Sequence, residues 1–386
     1  MIVIAPDKFK GSLSADRVAD AIAAGFRSVD PSVILDLCPM ADGGEGTVAA
    51  LVSATGGRTE TRRVTGPLPE MKLDATFGIL GDNQTAVIEM AAASGLALLR
   101  PDQRDPMATT TFGTGELLMA AAELGMKRVI LGIGGSATVD AGIGAAQACG
   151  LPIILEGGEP VSPTEPLCGR DLPSVLMVKH GRGSPVERME IVVACDVTNP
   201  LFGPEGAAPV FGPQKGASPE SARELDADLR ALAERTHHLD AARTPGAGAA
   251  GGLGFGMLAF FGATLRPGID IVIDATRLRD RLQNATLCIT GEGRLDASSC
   301  YGKTAIGVAR ICQSLGIPCV ALVGSVGPDA EAVYAEGITA WFNICDEPMP
   351  LEVAMRDAPR LLQSTAANLL RLLHKESDLC TSQSMH

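Results

Sequence analysis

Five times along the chain, a run of apolar or β-branched residues stops at glycine or another small residue beside a charged one. MIVIAP leads to Asp7, Lys8 and Lys10, and VILDLCPMA leads to Asp42 and Glu45 within ADGGEGT. RVILGIGGSATVD carries Ser136, Thr138 and Asp140, IVVACDVTN carries Asp196 and Asn199, and LCITGEGRLD carries Glu292, Arg294 and Asp296. Amphipathic helical patterns separate these runs, and strands alternating with helices read as a mainly parallel sheet with crossover helices. The fold class is therefore α/β. Ligands of open α/β sheets bind at the carboxyl ends of strands, so these five clusters are the candidate functional residues. Their small neighbours suit that role, because a ligand must approach the backbone closely there.

The same grammar appears at both ends of the chain. MIVIA reads as a strand, Ser14 as the cap of a helix with Val18, Ala21, Ile22, Phe26 and Val29 on one face, and VILDLCPM as a second strand. ATLCITGEG, a helix over 304–315, PCVALVGSV and a helix over 351–373 repeat the pattern, so the two ends are expected to share one sheet. Between them TETRRVTG, MKLDATFGIL and TAVIEMA alternate like antiparallel strands before a helix opens near Thr111. A chain of 386 residues is long enough for two domains. The expected division is a discontinuous, Rossmann-like parallel-sheet domain (1–64 plus 285–375), an inserted mixed α/β domain (65–284) and a disordered tail (376–386).

Composition narrows the function. With 45 acidic and 32 basic side chains the formal charge is −13, and only 3% of residues are aromatic. Nucleic acid, which needs a positive face and stacking rings, is excluded as a partner, and an anionic membrane with it. The start is too short and uncharged for a signal-peptide core, so the expected location is the cytoplasm. The ten cysteines include no Cys-x-x-Cys pair and the histidines no His-x-x-x-His, so neither a zinc site nor a disulfide framework is expected. TPGAGAAGGLGFGMLAFFGATL is uncharged, but its seven glycines favour a glycine-rich loop entering a buried helix over a membrane span.

Asp140 is the only charge between Arg128 and Glu156, and Asp196 the only one between Glu190 and Glu205. A lone carboxylate in an apolar segment must be paired, hydrogen-bonded or metal-facing. GIGGSAT reads as a turn between a strand and a helix, where free amides attract phosphate. GAGAAG fits the dinucleotide pattern but follows no strand, which leaves little for a nicotinamide oxidoreductase. GKT at 302–304 resembles the end of a Walker A loop, yet position 297 is Ala297 where the first glycine belongs. There is no Gly-x-Ser-x-Gly elbow, and histidines 180, 237, 238, 374 and 386 lie in polar or terminal settings, read as solvated. Carboxylates, a few cations and glycine loops are the inventory of magnesium-assisted phosphoryl transfer.

The sequence also resembles the type I glycerate kinase family. APDKFKGSLSA, PMADGGEGT, IEMAAASGL, TTFGTGELL, IGGSATVDAG, ACDVTNPL, GAAPVFGPQKGA, GAGAAGGLGFG and TGEGRLDASSCYGK match its blocks in order over about residues 1–375, with Val139 and Cys300 as departures. The resemblance implies an alcohol-group phosphotransferase that makes 2-phosphoglycerate from D-glycerate and ATP with Mg²⁺, using two α/β domains. Within these motifs, residue type and position suggest roles. Glycerate would lie in the cleft between the domains, bound by Asp7, Lys10, Ser12 and Asn199 with its carboxylate on Lys8 or Arg294. Asp196 would accept the hydroxyl proton. Gly134, Gly135, Ser136 and Thr138 would cradle ATP phosphates, with Asp140 orienting the loop. Asp42, Glu45, Glu292 and Asp296 are the candidate Mg²⁺ ligands. A kinase for another small hydroxy acid and a non-catalytic metabolite-binding protein are the alternatives.

Overall fold

A computed structural model describes residues 1–383 except 159, 160, 163, 180–182, 301 and 302, with the side chains of 298 and 375–383 also left aside. The chain forms two compact units. The first comprises Met1–Asp42, Ala49–Thr55 and Val272–His386; the second comprises Gly43–Val48 and Gly56–Ile271.

The first unit is built on a five-stranded, all-parallel sheet in the order Ala340–Asn343, Cys319–Val323, Leu287–Glu292, Ile2–Ile4, Leu35–Leu37. The two chain ends do share this sheet, with Ile2 opposite Leu287 and Ile4 opposite Ile289. Backbone bonds carry the pairing past the strand end, because the Asp7 amide donates to the Gly291 carbonyl at 2.8 Å. The helix Ala15–Val29 buries Val18, Ile22 and Phe26 with Leu361, Leu362 and Ala366 of the helix Leu351–Gln383 on one face of the sheet. Gly25 lets the two helices touch, since a Cβ there would collide with the Gln363 carbonyl. Ser14 sits at the cap position, but its hydroxyl makes no cap bond. The edge strand Ala340–Asn343 was not foreseen; AWFN is short and only half-buried or exposed, so it lacks a strong apolar signature.

The second unit has a six-stranded mixed sheet in the order Thr264–Arg266, Glu190–Ala194, Arg128–Gly132, Thr85–Glu89, Lys72–Ile79, Arg58–Thr65. The first four strands are parallel and the last two run antiparallel, as the alternation of TETRRVTG and MKLDATFGIL suggested; TAVIEMA, read with them, pairs antiparallel with Lys72–Ile79 but parallel with Arg128–Gly132, and is buried without alternating. A separate hairpin pairs Ile153–Leu155 with Val175–Val178.

Both boundaries lie earlier than the expected 64 and 284. Arg58–Thr65 pairs residue for residue with Lys72–Ile79, so it belongs to the second unit, and Val272 onward belongs to the first. The stretch from Lys375, read as a disordered tail, continues as helix to Gln383; it holds no glycine or proline, and extending an existing helix is easy. Residues 384–386 lie outside the described residues.

The uncharged segment forms the buried helix Ala249–Phe261, and no helix is long and apolar enough to cross a membrane. Its start is kinked by three successive left-handed residues, Ala250, Gly251 and Gly252. The Gly251 carbonyl accepts the Ala141 amide at 3.1 Å, and a Cβ on Gly251 would run into the Thr138 carbonyl. Gly262 has the same backbone hand (φ 64°) but open space around it. Gly251→Ala is therefore expected to cost about 3 kcal/mol or more, combining strain with overpacking, against about 1 kcal/mol for Gly262→Ala, read by urea denaturation.

Candidate functional site

The strand order of the first unit reverses direction between Ile2–Ile4 and Leu287–Glu292, which makes their carboxyl ends the topological switch point where such sheets bind ligands. Asp7 and Glu292 sit there, 9% and 8% exposed. Asp7 Oδ2 accepts the Thr304 hydroxyl at 2.6 Å and Oδ1 accepts the Lys8 amide at 2.7 Å. Glu292 Oε2 lies 3.6 Å from Lys303 Nζ, which also stands 3.8 Å from Asp296 Oδ1 and donates to Ser299 Oγ at 3.2 Å. Glu292 Oε1 is buried with no hydrogen-bond partner. Lys8 Nζ is 3.4 Å from Asp42 and 3.9 Å from Asp7. Two lysines thus stand among four carboxylates.

Burial is the main reason that both carboxyls are pushed up from their ordinary range. At Asp7 the Lys8 charge and the Thr304 hydroxyl pull the other way. At Glu292 the Ser299 hydrogen bond and Lys303 do so, while the nearby Asp7 charge adds to the rise. Arg294 is the most exposed member of the group and holds Asp296 at 3.1 Å. Lys10 is exposed, and the Ser12 hydroxyl is committed to the Met355 carbonyl at 2.6 Å.

Lys303 and Thr304 were missing from the sequence-derived site. GKT lacks the glycine of an orthodox Walker A loop, and a different anchor, the Thr304 bond to Asp7, brings Lys303 and Thr304 into the cluster. Tyr301 and Gly302 lie outside the described residues.

The second unit holds the glycine turn. After the strand Arg128–Gly132 the chain passes Gly134 and Gly135 (φ 75°) and is pinned to the segment before it, with Leu96 donating to the Gly135 carbonyl at 2.8 Å and Ala137 to the Ser94 carbonyl at 2.9 Å. The turn does not open a helix, contrary to expectation: the next helix, Ile143–Ala148, starts seven residues beyond Ser136 and is too short to supply a useful dipole.

Asp140 is fully buried. Its Oδ2 accepts the Thr111 amide at 2.8 Å and hydroxyl at 2.7 Å, its Oδ1 accepts the Gly142 amide at 3.1 Å, and Thr111 Oγ1 accepts the Ala145 amide at 2.9 Å. The carboxylate joins the amino ends of two helices and holds the turn in place. Burial pushes its pKa up against those hydrogen bonds. Lys215, buried at 2% exposure, donates to Ser136 Oγ and to the Thr138 carbonyl, both at 2.7 Å. It too was absent from the sequence-derived site, because a lysine in GPQKG carries no sign of burial.

Asp196 is exposed at the end of Glu190–Ala194, and its Oδ1 accepts the Gly268 amide at 2.9 Å. Asn199 is engaged in its own loop, donating to the Glu205 carbonyl at 2.7 Å. Glu45 is exposed and belongs to the second unit, so the four acids proposed for the metal are divided between the units. Of the histidines, His237 and His374 are exposed, but His238 is half-buried with its ring edge-on to Phe260, which corrects its reading as solvated. His180 and His386 lie outside the described residues.

Among the described residues, one trio of metal-type ligands has its donor atoms within 4.8 Å of one another: Cys288, Cys312 and Cys319, all buried. Soft thiols in a core do not suit a hard Mg²⁺ ion. No disulfide joins them.

Thr304→Val, which removes the bond that favours ionised Asp7, is expected to move the Asp7 titration to still higher pH, read by carbon-13 NMR of the carboxyl group. An unmoved titration would show that the hydroxyl does not control this carboxyl.

The family model described as the glycerate kinase family matches residues 2–374. A glycerate kinase of Halalkalibacterium halodurans is 45% identical over 372 residues, covering 95% of this chain and 97% of that one. The glycerate 2-kinase of Escherichia coli is 46% identical over 361 residues, covering 92% and 93%. A crystal structure described as a glycerate kinase 2 from Salmonella typhimurium LT2 superposes with a TM-score of 0.87 at 44% identity, covering 98% of this chain and 99% of the other. Sequence and fold agree over nearly the whole length, and the chain belongs to the glycerate kinase family.

Proposed function

We propose that the protein transfers the γ-phosphoryl group of ATP to the 2-hydroxyl of D-glycerate, giving 2-phosphoglycerate and ADP. The observation that carries this reading is the switch-point cluster: Asp7 and Glu292, both buried and near enough for the Asp7 charge to act on Glu292, with Lys303 and Lys8 against them. Phosphoryl transfer needs charge neutralisation and positioning more than a strong nucleophile, and the cluster is built for both. Lys8 and Lys303 offer charge-assisted bonds to a small anion, and Arg294, mostly exposed, offers a fork for a carboxylate.

The cluster also fits Mg²⁺. Glu292 Oε1 is a buried acceptor without a donor, and Asp7 supplies a second hard oxygen ligand. Asp296 is held by Arg294 at 3.1 Å and Asp42 by Lys8 at 3.4 Å, whereas the lysine contacts of Glu292 and Asp7 are longer, 3.6 and 3.9 Å, which favours Glu292 and Asp7 as the residues that would hold the ion. No three carboxylates among the described residues converge within 4.8 Å, which suits an ion that takes one or two carboxylates and completes its shell with phosphate oxygens and water. When bound, Mg²⁺ supplies neutralisation of the triphosphate charge. Asp196, held by the Gly268 amide and open to solvent, is the proposed acceptor of the hydroxyl proton. Gly134, Gly135, Ser136 and Thr138 are the proposed phosphate cradle, with donors from the turn itself rather than from a helix end.

Three measurements test this. Phosphorus NMR of the product from D-glycerate and ATP should show 2-phosphoglycerate; a 3-phospho product, or no ADP, overturns the assignment. Glu292→Gln keeps the shape and loses the charge, and kcat should fall about 100-fold or more in a coupled ADP assay. Asp196→Asn should lower kcat by about 100-fold, and a change within about threefold would remove Asp196 from the role of base.

A further inference from the structure

Lys215 is an unusual residue to find beneath a turn of glycines. The short helical turn Pro213–Lys215 ends in Gly216 (φ 96°), where a Cβ would strike the Arg104 carbonyl, so the backbone that carries the lysine has little room to shift. Its Nζ has two neutral acceptors, Ser136 Oγ and the Thr138 carbonyl, for the three protons of an ammonium group. Among the described residues no carboxylate oxygen comes within 4.0 Å of it. Asp140 is the charged group whose field reaches it, and that carboxylate is already engaged by Thr111 and Gly142. The amine is therefore buried, fixed against the turn and only partly compensated. Burial lowers its pKa to about 7, with Asp140 opposing the shift.

We propose that Lys215 is a positioning residue of the phosphate turn and that it takes up a proton from solvent onto Nζ when a phosphoryl anion occupies the turn. The proposal rests on the reading of Gly134–Thr138 as a phosphate cradle. The chemistry is a proton linkage. An anion next to the amine favours its charged form, so the proton and the phosphoryl group bind with mutual support. In the empty protein burial favours the neutral amine, which still holds the turn through its hydrogen bonds.

Calorimetric titration of the full chain with MgATP, without glycerate, in PIPES, HEPES and Tris reports the protons exchanged from the dependence of heat on buffer ionisation enthalpy. Above pH 7 the wild type should take up more of a proton than Lys215→Met, and the difference should shrink toward pH 6, as a group titrating near 7 requires. Lys215→Gln, which keeps a donor without the charge, should match Lys215→Met in proton count and bind MgATP at least tenfold more weakly than wild type. Equal proton uptake in wild type and both variants overturns the proposal while leaving the cradle reading intact. If Gly135→Ala, strained at φ 75°, binds MgATP as wild type does, the cradle reading fails instead, and the proposal falls with it. Should the lysine variants not fold, the wild-type series decides alone: uptake that grows from pH 6 to pH 8 supports the linkage, and a flat profile ends it.

Discussion

The parallel pairing of Ile2–Ile4 with Leu287–Glu292 is the contact on which the first unit depends. It joins segments far apart in the chain and creates the reversal in strand order at whose carboxyl edge such sheets bind ligands. Because backbone bonds continue to the Asp7 amide, that carboxyl is delivered to the edge in register with Gly291 and Glu292. Two acids brought together out of water are costly, and the cost is offset locally: a threonine hydroxyl and an amide at Asp7, a lysine at Glu292. Glu292 keeps one oxygen without a partner, a feature that suits a ligand and serves no packing purpose.

The second unit buries one group of each sign. Asp140 is buried and uses its oxygens to fasten two helix starts, and Lys215 is buried and uses its protons to fasten the turn that Asp140 flanks. Glycine makes the close approach possible. Gly251 touches the Thr138 carbonyl and Gly144 leaves room for the Thr110 hydroxyl, and Ala141 and Ala250 are both held in left-handed conformations beside them. Strain of that kind in non-glycine residues persists where the surroundings over-determine it, as at functional sites.

Much of this was legible in the residues. The βαβ opening, the shared sheet and the antiparallel strands near residue 60 follow from period-2 and period-3.6 patterns, because burial of one face demands them. The five acid-bearing loops were legible for the same reason: a strand's end is visible where the apolar run stops. The motif blocks of the glycerate kinase family were also readable directly. Lys303, Thr304 and Lys215 were not, because what marks them is a partner far along the chain: Glu292 for the first, Asp7 for the second, Ser136 for the third. The expected helix after GIGGSAT failed because Asp140 and its amide partners hold residues 133–142 in an irregular path before the helix can begin.

The amino-acid sequence by itself determined the α/β class, the strand-end placement of Asp7, Asp196 and Glu292, and the family, since these depend on local pattern and on motif identity. Only the tertiary structure decided which acids are buried, which cation faces each, and that Asp7 and Glu292 stand together while Asn199 and Ser12 are occupied elsewhere. The physical reason is that burial and ion pairing are properties of neighbours in space, and strand order, which no single segment encodes, chooses those neighbours.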